Sequence, residues 1–270
     1  MNDSVTPVLE MRSVSKAFEG KVVLKGASIT VFEGETLAII GASGCGKSVA
    51  LRIMTGLMDA DEGQVLYRGE DIAEFGPRKL ADLRKELAYV FQEDALFDSM
   101  TVLENVGYAL VEHTEQSDAE IEARAWECLE LVGLGRAERP QILGQYPTEL
   151  SGGMRRRVAL ARAIAMIPKV VLYDEPMGGL DPANCRRIAD MCKNLQHEYS
   201  LTSVVVTHHL PSVWHIADRV AMLEAGRFTH IAPTEKFREI DDAELQAFIS
   251  PNMDIPPSWA EAFESGTFLR

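Results

Sequence analysis

The first residues able to do chemistry form a glycine-rich loop, Gly41–Ser48, which fits the pattern G-x-x-x-x-G-K-[ST]. Glycines let the backbone of such a loop wrap a phosphate with its N–H groups pointing inward. Lys47 can reach the β- and γ-phosphates of a nucleotide, and the Ser48 hydroxyl can ligate Mg²⁺. A short apolar strand, Thr36–Ile40, precedes the loop, and a helical segment, Ser48–Gly56, follows it. The helix adds its positive end to the loop, so the unit predicts phosphate binding.

Two carboxylates follow a second apolar strand, Val170–Tyr173. Asp174, at the strand end, can hold Mg²⁺, commonly through water. Glu175 can polarise an attacking water and is therefore the candidate general base. An acidic turn after a strand is common, but downstream of a phosphate loop this pair predicts a metal ligand and a base.

A second glycine-rich loop, Ser151–Gly153, leads into a predicted helix over Arg155–Ala165. A hydroxyl and two glycines at a helix N-terminus form another anion cradle. Taken alone, the segment could be an ordinary capped helix start. Two cradles in one chain, however, need either two phosphates or two chains.

These loops together resemble those of ABC ATPases, in which two subunits pair head to tail and each signature loop closes on the other subunit's ATP. Here the signature loop is Ser151–Gly153, and the resemblance covers residues 8 to about 230. It implies an ATP-hydrolysing enzyme that binds ATP and Mg²⁺ and works as a homodimer. It assigns catalysis to Lys47, Gln92, Glu175 and His208, and metal binding to Ser48, Gln92 and Asp174. It assigns nucleotide binding to Phe18, Gly41, Ser43, Gly44, Cys45, Gly46, Lys47, Ser48, Val49, Ser151, Gly152, Gly153 and Asp181.

Several of these roles have alternatives. Gln92 matches the Q-loop glutamine that senses Mg²⁺ and the γ-phosphate, and Asp181 matches the D-loop. His208 matches the switch histidine, although a lone histidine at a strand end is usually structural; its neighbour His209 is interpreted as a bystander. Phe18 matches the aromatic that stacks on adenine, with a core aromatic as the alternative. The thiolate form of Cys45 is expected to be favoured by its place at a helix N-terminus.

Three sequence features resemble one branch of the ABC ATPase family. Val49 follows the phosphate loop, Met154 follows the signature loop, and the segment Phe91–Val102 is similar to that of the Mla and Mce-type lipid-transport ATPases. This resemblance implies phospholipid movement across a bacterial envelope. The expected partners are two copies of a multi-span permease, an Mce-domain substrate-binding protein and a small regulatory protein. Contact with the permease is expected at Ala95–Val102, where Leu96 and Phe97 could instead be core residues.

Other functions remain open. The main alternative is an ABC importer for amino acids, metals or osmolytes. A non-transport soluble P-loop ATPase, such as a kinase or a DNA-repair enzyme, belongs to another class, as does a regulatory subunit with little turnover. The signature loop argues against a kinase.

The elements that must position these residues alternate along the chain. Val8–Val14 and Val22–Val31 predict a small antiparallel region, whereas Val102–His113 and Ala119–Val132 predict helices. The fold class is α/β: a P-loop NTPase (RecA-like) core with a mainly parallel sheet, an N-terminal antiparallel β region and an inserted α-helical subdomain. The predicted division is 1–94 and 151–233 for the core, 95–150 for the helical subdomain and 234–270 for an acidic C-terminal extension.

The net charge of the chain excludes some classes of binding partner. The 270-residue chain carries a net charge of −14, which argues against binding to nucleic acid or direct adhesion to an anionic membrane. No apolar run is long enough to span a bilayer and no signal peptide is visible, so we expect the cytoplasmic face of the inner membrane, reached through the permease. The four cysteines predict reduced thiols. Trp259 and Phe263 in the extension allow either a disordered end or a latch onto the paired subunit.

Overall fold

The computed structural model describes residues 6–250. Its strands are Pro7–Phe18 (β1), Lys21–Phe32 (β2), Thr36–Ile40 (β3), Glu62–Tyr67 (β4), Glu70–Asp71 (β5), Leu87–Val90 (β6), Val170–Asp174 (β7), Thr202–Val206 (β8), Arg219–Glu224 (β9) and Arg227–Pro233 (β10). Its helices are Lys47–Met54 (α1), Pro77–Glu86 (α2), Val102–His113 (α3), Asp118–Leu131 (α4), Gly152–Ile164 (α5), Pro182–Tyr199 (α6), Leu210–Ile216 (α7), Thr234–Phe237 (α8) and Ala243–Ile249 (α9).

The larger sheet has the strand order β10-β9-β3-β8-β7-β6. Its five strands from β9 to β6 are parallel, and β10 adds an antiparallel edge. Every residue of β3, β7 and β8 is buried, as expected for parallel strands covered on both faces. Parallel strands end at the same edge of a sheet, so the loops that follow β3, β6, β7 and β8 are brought together there. This arrangement confirms the predicted fold class.

The smaller sheet is antiparallel, with the order β2-β1-β4-β5. Its first two strands are joined by Glu19 and Gly20, both with positive φ (48° and 82°). This backbone suits a two-residue hairpin turn, because positive φ at both central residues matches the strand twist. The turn leaves Phe18 and Lys21 paired at the tip of the hairpin.

The inserted helices pack against α5. Both α3 and α4 begin with a capping box, formed by Thr101 with Glu104 and by Ser117 with Glu120. Buried hydrophobic residues of α3, α4 and α5 share one core cluster with Val171 and Tyr173 of β7 and with α6. The helix that begins at the signature loop therefore connects the inserted helices to the sheet. The boundaries 95–150 stay a prediction.

The beginning of the predicted extension packs on the sheet. Phe237, Leu245 and Ile249 of α8 and α9 are buried and share a core cluster with Leu210 and Val213 of α7. Thr234–Phe237 and Ala243–Ile249 therefore fold as helices, although this part of the chain carries the acidic composition of an extension. Trp259 and Phe263, and with them the choice between a disordered end and a latch, lie outside the described residues.

The cysteines and the hydropathy of the helices were also subjects of prediction. Cys45, Cys128, Cys185 and Cys192 are all free thiols, as predicted. Within residues 6–250, no helix is both long enough and apolar enough to cross a bilayer.

Candidate nucleotide-binding site

The phosphate loop is held between the two sheets by contacts that leave no room for side chains. A Cβ built on Gly41 (φ 152°) would lie 2.3 Å from the carbonyl oxygen of Leu223 in β9. A Cβ built on Gly46 (φ 107°) would lie 2.9 Å from Cγ1 of Val23 in β2. Real Cβ atoms do not approach so closely, and L-residues rarely adopt such φ values, so these two positions require glycine.

Lys47 closes the loop from within. Its ammonium donates hydrogen bonds to the carbonyl oxygens of Gly41 (2.8 Å) and Ala42 (3.0 Å). The side chain is buried, and its residue opens α1, whose free N–H groups face the loop. The loop thus combines backbone donors, a helix N-terminus and a cation, which together suit a chain of phosphates.

A cavity of about 350 Å³ opens beside the loop. It is lined by Phe18, Val23, Ser43, Gly44, Gly46, Lys47, Ser48, Val49, Gln92, Glu175 and His208. The structure therefore brings together residues from the hairpin, the phosphate loop and the ends of β6, β7 and β8. Val23 is the one lining residue that was not predicted from the sequence; its position on β2, five residues after Phe18, was the available indication.

Asp174 lies behind the loop and is fully engaged by two hydroxyl groups. Ser48 Oγ donates to Asp174 Oδ1 (2.8 Å), and the Tyr89 hydroxyl donates to Asp174 Oδ2 (2.7 Å). Burial, and then the hydrogen bond to the Asp174 carboxylate, raises the pKa of Tyr89 well above its usual value, so the hydroxyl stays protonated. Tyr89 lies on β6 beside β7 and was missed from sequence. Its position three residues before Gln92 was the only local indication.

Glu175 and His208 form a pair at the edge of the cavity. His208 Nδ1 lies 3.0 Å from Glu175 Oε2, and the His208 N–H donates to the same oxygen (3.3 Å). Glu175 has a left-handed backbone (φ 49°), and its N–H donates to the carbonyl of Val206 (2.8 Å), which ties the end of β7 to β8. The carboxylate is buried whereas the His208 side chain is 67% exposed. A buried carboxylate beside an exposed imidazole can accept a proton from a water at this edge.

His209, the next residue, contacts a different partner. Its Nδ1 lies 2.7 Å from the Ser212 hydroxyl, at the start of α7. Burial lowers the pKa of His209, and the neighbouring His208 lowers it further. The ring therefore packs within the fold, and its interpretation as a bystander stays a prediction.

The signature loop and Asp181 lie elsewhere on the surface. Ser151 Oγ accepts a hydrogen bond from the Met154 N–H (3.3 Å) and so caps α5. Asp181 caps α6 by accepting from both the backbone N–H and the side-chain amide of Asn184 (3.0 and 2.5 Å). A Cβ on Gly153 would lie 3.5 Å from the Asn184 side chain, so the two loops are neighbours. One copy of the chain does not bring Ser151, Gly152, Gly153 or Asp181 into the cavity lining.

The expectation of a favoured Cys45 thiolate is wrong. The thiol lies against the backbone of Gly41, where a Cβ would be 2.9 Å from Sγ. Burial there raises the pKa of Cys45, and the nearby Lys47 offsets this only in part. The helix N-terminus suggested a reactive thiol, but the packing of the loop outweighs it.

Gln92 is exposed at the end of β6, and the chain beyond it is anchored to α5. The Asp94 carboxylate lies 2.7 Å from Nε of Arg156, and Arg162 donates to the carbonyl oxygens of Asp94 (3.1 Å) and Ala95 (2.8 Å). Phe97 is 43% exposed and contacts Tyr108, with ring centroids 5.1 Å apart. Contact of Ala95–Val102 with a permease stays a prediction.

The sequence was compared with known protein families and with curated proteins. The ABC transporter family model matches residues 24–178. The sulfate/thiosulfate import ATP-binding protein CysA of Bradyrhizobium diazoefficiens is 36% identical over 92% of this chain and 70% of that protein. CysA of Bordetella parapertussis is 41% identical over 83% of this chain but only 61% of its own length. The methionine import ATP-binding protein MetN of Caulobacter vibrioides is 37% identical over 91% of this chain and 76% of that protein.

Solved structures of ATP-binding cassettes have the same fold as this chain. The dimeric ATP-binding cassette MJ0796, in a post-hydrolysis state bound to ADP and Pi, is 31% identical, with a TM-score of 0.76 over 84% of this chain and 98% of that one. The cbiO1 protein from Clostridium perfringens, part of the ABC transporter complex cbiONQ, is 26% identical, with a TM-score of 0.77 over 96% of this chain and 99% of that one. The chain belongs to the ABC transporter family as an ATP-binding subunit, a family that hydrolyses ATP with Mg²⁺.

Proposed function

We propose that the chain is the ATP-hydrolysing subunit of an ABC importer and works as a homodimer. The proposal of a dimer rests on one observation: the residues expected at the ATP site lie in two separate places on one copy of the chain. The phosphate loop, Gln92, Glu175 and His208 line one cavity, whereas Ser151–Gly153 lie outside it. A second copy, paired head to tail, would bring its Ser151–Gly153 to the γ-phosphate and complete the site. The dimeric state of the similar cassette MJ0796 supports pairing of two copies.

Binding relies on groups already in place. Backbone N–H groups of the phosphate loop and Lys47 hold the phosphates, and the N-terminus of α1 adds its dipole. Phe18, on the hairpin, lines the cavity, where its ring would contact the base. Val49 lies beside the loop, where it provides a backbone N–H but no hydroxyl.

Hydrolysis needs a base at the γ-phosphate. The Glu175 carboxylate takes a proton from water as the water oxygen bonds to the γ-phosphorus. The bond from that phosphorus to the bridging oxygen breaks, and ADP leaves with the electron pair. His208, 3.0 Å from the Glu175 carboxylate, holds it in place and offers its other ring nitrogen to the γ-phosphate.

The donor set beside the loop suits Mg²⁺. Ser48 and Asp174, whose oxygens are 2.8 Å apart, and the amide oxygen of Gln92 are the hard ligands that this ion prefers. Residues 6–250 contain no cluster of three or more His, Cys, Asp or Glu side chains suited to a metal. Mg²⁺ does not need one, because it is commonly held by one or two carboxylates with phosphates and waters. When bound, the ion neutralises charge that develops on the phosphate oxygens.

The relatives support one class of cargo for this chain. CysA and MetN are named for import of sulfate, thiosulfate and methionine, which supports import of a small solute. In this proposal the dimer sits on the cytoplasmic face of the inner membrane, bound to two copies of a multi-span permease. Phe97 lies within the segment Ala95–Val102 and forms an exposed aromatic pair with Tyr108 of α3, which supports docking there.

Phospholipid transport is the second candidate. It would add an Mce-domain protein and a small regulatory protein as partners. Val49 in the cavity lining, Met154 after the signature loop and the segment Ala95–Val102 favour it. The named relatives do not support it, and it therefore ranks below import.

Replacing Glu175 by Gln removes the base but keeps the shape of the side chain. We expect phosphate release to fall by at least about a hundredfold, because general-base catalysis contributes roughly 10²–10⁴-fold. ATP should still bind and should hold the dimer together, measured by phosphate release and by light scattering. Glu198→Gln, an exposed carboxylate on α6, is the matched control. Unchanged turnover in Glu175→Gln would exclude Glu175 as the base.

Replacing Tyr89 by Phe removes the hydroxyl that orients Asp174. Groups that orient metal ligands typically change metal affinity about 10- to 100-fold, so we expect hydrolysis to need about tenfold more Mg²⁺ at saturating ATP. A titration of activity against free Mg²⁺ measures this shift. Tyr146→Phe, a 44% exposed tyrosine, controls for loss of a hydroxyl alone. An identical Mg²⁺ curve for Tyr89→Phe and wild type would mean that Tyr89 does not position Asp174.

Reconstitution distinguishes the two cargoes. The chain should co-purify from detergent extracts with a multi-span protein, and the complex should then be placed in lipid vesicles. We expect ATP-dependent accumulation of a solute such as sulfate or methionine, with the Glu175→Gln complex as the inactive control. ATP-dependent transfer of a labelled phospholipid, without solute uptake, would instead establish the lipid candidate.

A further inference from the structure

The tip of the β1–β2 hairpin extends beyond the sheet that supports it. Along β1, pairing with β4 ends at Ser15, which lies opposite Glu62. Further along, the residues of β1 pair with β2, up to Phe18 opposite Lys21. The backbone of the tip on the β4 side therefore needs other partners for its N–H and C=O groups.

Asp61, the residue immediately before β4, supplies these partners. Its Oδ2 accepts from the Ala17 N–H (2.7 Å), and its Oδ1 accepts from the Lys16 ammonium (2.7 Å). Its own N–H donates to the carbonyl of Ser15 (2.9 Å). The bonds from Lys16 and Ala17 lower the pKa of Asp61, so the carboxylate is charged at neutral pH. One side chain thus continues, over two residues, the support that β4 no longer provides.

Phe18 depends on this support because it is not fixed by burial. The ring is 42% exposed and lines the nucleotide cavity next to the phosphate loop. The Lys16 ammonium, held by Asp61, lies 5.6 Å from the centre of the Phe18 ring. An exposed aromatic on a two-stranded tip would otherwise lose conformational freedom when a ligand orders it.

We infer that Asp61 is a positioning residue for the nucleotide, one that acts on the base of ATP through Lys16, Ala17 and Phe18 without touching it. The inference deepens the proposed function and rests on it, because Phe18 must contact the base. Asp61 holds the tip in the shape that receives a purine, and this lowers the ordering cost of binding. The phosphates are held by a different part of the site, so their binding does not depend on Asp61.

The test uses the full chain with Asp61→Ala and Asp61→Asn. Calorimetry measures Kd for a non-hydrolysable ATP analogue and for inorganic tripolyphosphate, and steady-state kinetics give kcat and KM. We expect Asp61→Ala to weaken the ATP analogue about three- to tenfold, a fraction of what an aromatic contact with a base contributes, and to leave tripolyphosphate binding and kcat unchanged. Asp61→Asn should fall between, because its amide oxygen can still accept from Ala17 but no longer carries charge for Lys16.

Glu62→Gln is the matched control, since it changes the adjacent exposed carboxylate. Circular dichroism melts of all variants confirm that each is folded. Equal weakening of the ATP analogue and tripolyphosphate by Asp61→Ala would overturn the inference, because the effect would not pass through the base. So would an effect of Glu62→Gln as large as that of Asp61→Ala.

A double-mutant cycle with Phe18→Ala separates the inference from the function beneath it. If Asp61 acts through Phe18, then Asp61→Ala should have no further effect on ATP binding once Phe18 is alanine. Full additivity of the two changes would overturn the inference while leaving Phe18 as a base contact. No weakening by Phe18→Ala alone would overturn the role of Phe18, and the positioning role of Asp61 with it.

Discussion

The site depends on how closely the phosphate loop is packed between the two sheets. Gly41 lies against the carbonyl of Leu223 in the parallel sheet, and Gly46 lies against Val23 in the antiparallel sheet, each with no space for a Cβ. This contact fixes the loop relative to the ends of β7 and β8, which carry Asp174, Glu175 and His208. It also brings the hairpin that carries Phe18 to the same cavity. The phosphate loop thereby shares one cavity with Phe18, the proposed base contact, and with Glu175, the proposed general base.

The second constraint is the position of α5. The helix begins at the signature loop, packs against α3 and α4, and anchors the segment after Gln92 through Arg156 and Arg162. The signature loop therefore belongs to the same packed unit as the predicted permease-docking segment. A shift of that segment at the membrane would move the signature loop with it, because packed interfaces transmit displacement as rigid units. In the proposed dimer, such a shift would open or close the partner's ATP site.

Most of the strands and helices that local sequence patterns encode could be predicted. The buried strands β3 and β7 and the helices α3 and α4 lie where the apolar spacing placed them. These patterns did not locate β6, which is four residues long, or β10, whose exposure alternates at the sheet edge. The roles of Tyr89 and Asp61 were not predicted, because their hydrogen-bond partners, Asp174 and Ala17, lie 85 and 44 residues away in the chain. The Cys45 thiolate was wrongly expected because the thiol packs against the hydrophobic core beside the loop, a tertiary effect that no local pattern shows.

The central claim is that each active site is shared between two copies of the chain, and mixing two inactive variants tests it most directly. Gly152→Asp disables the signature loop: a Cβ there meets only the Arg155 side chain at 3.7 Å, so the residue should fold while its charge repels phosphate. Glu175→Gln disables the base. A mixed dimer contains one site with an intact base facing an intact signature loop, so random pairing should restore about a quarter of wild-type phosphate release. A mixture as inactive as either variant alone, with mixed dimers shown to form, would contradict the shared site.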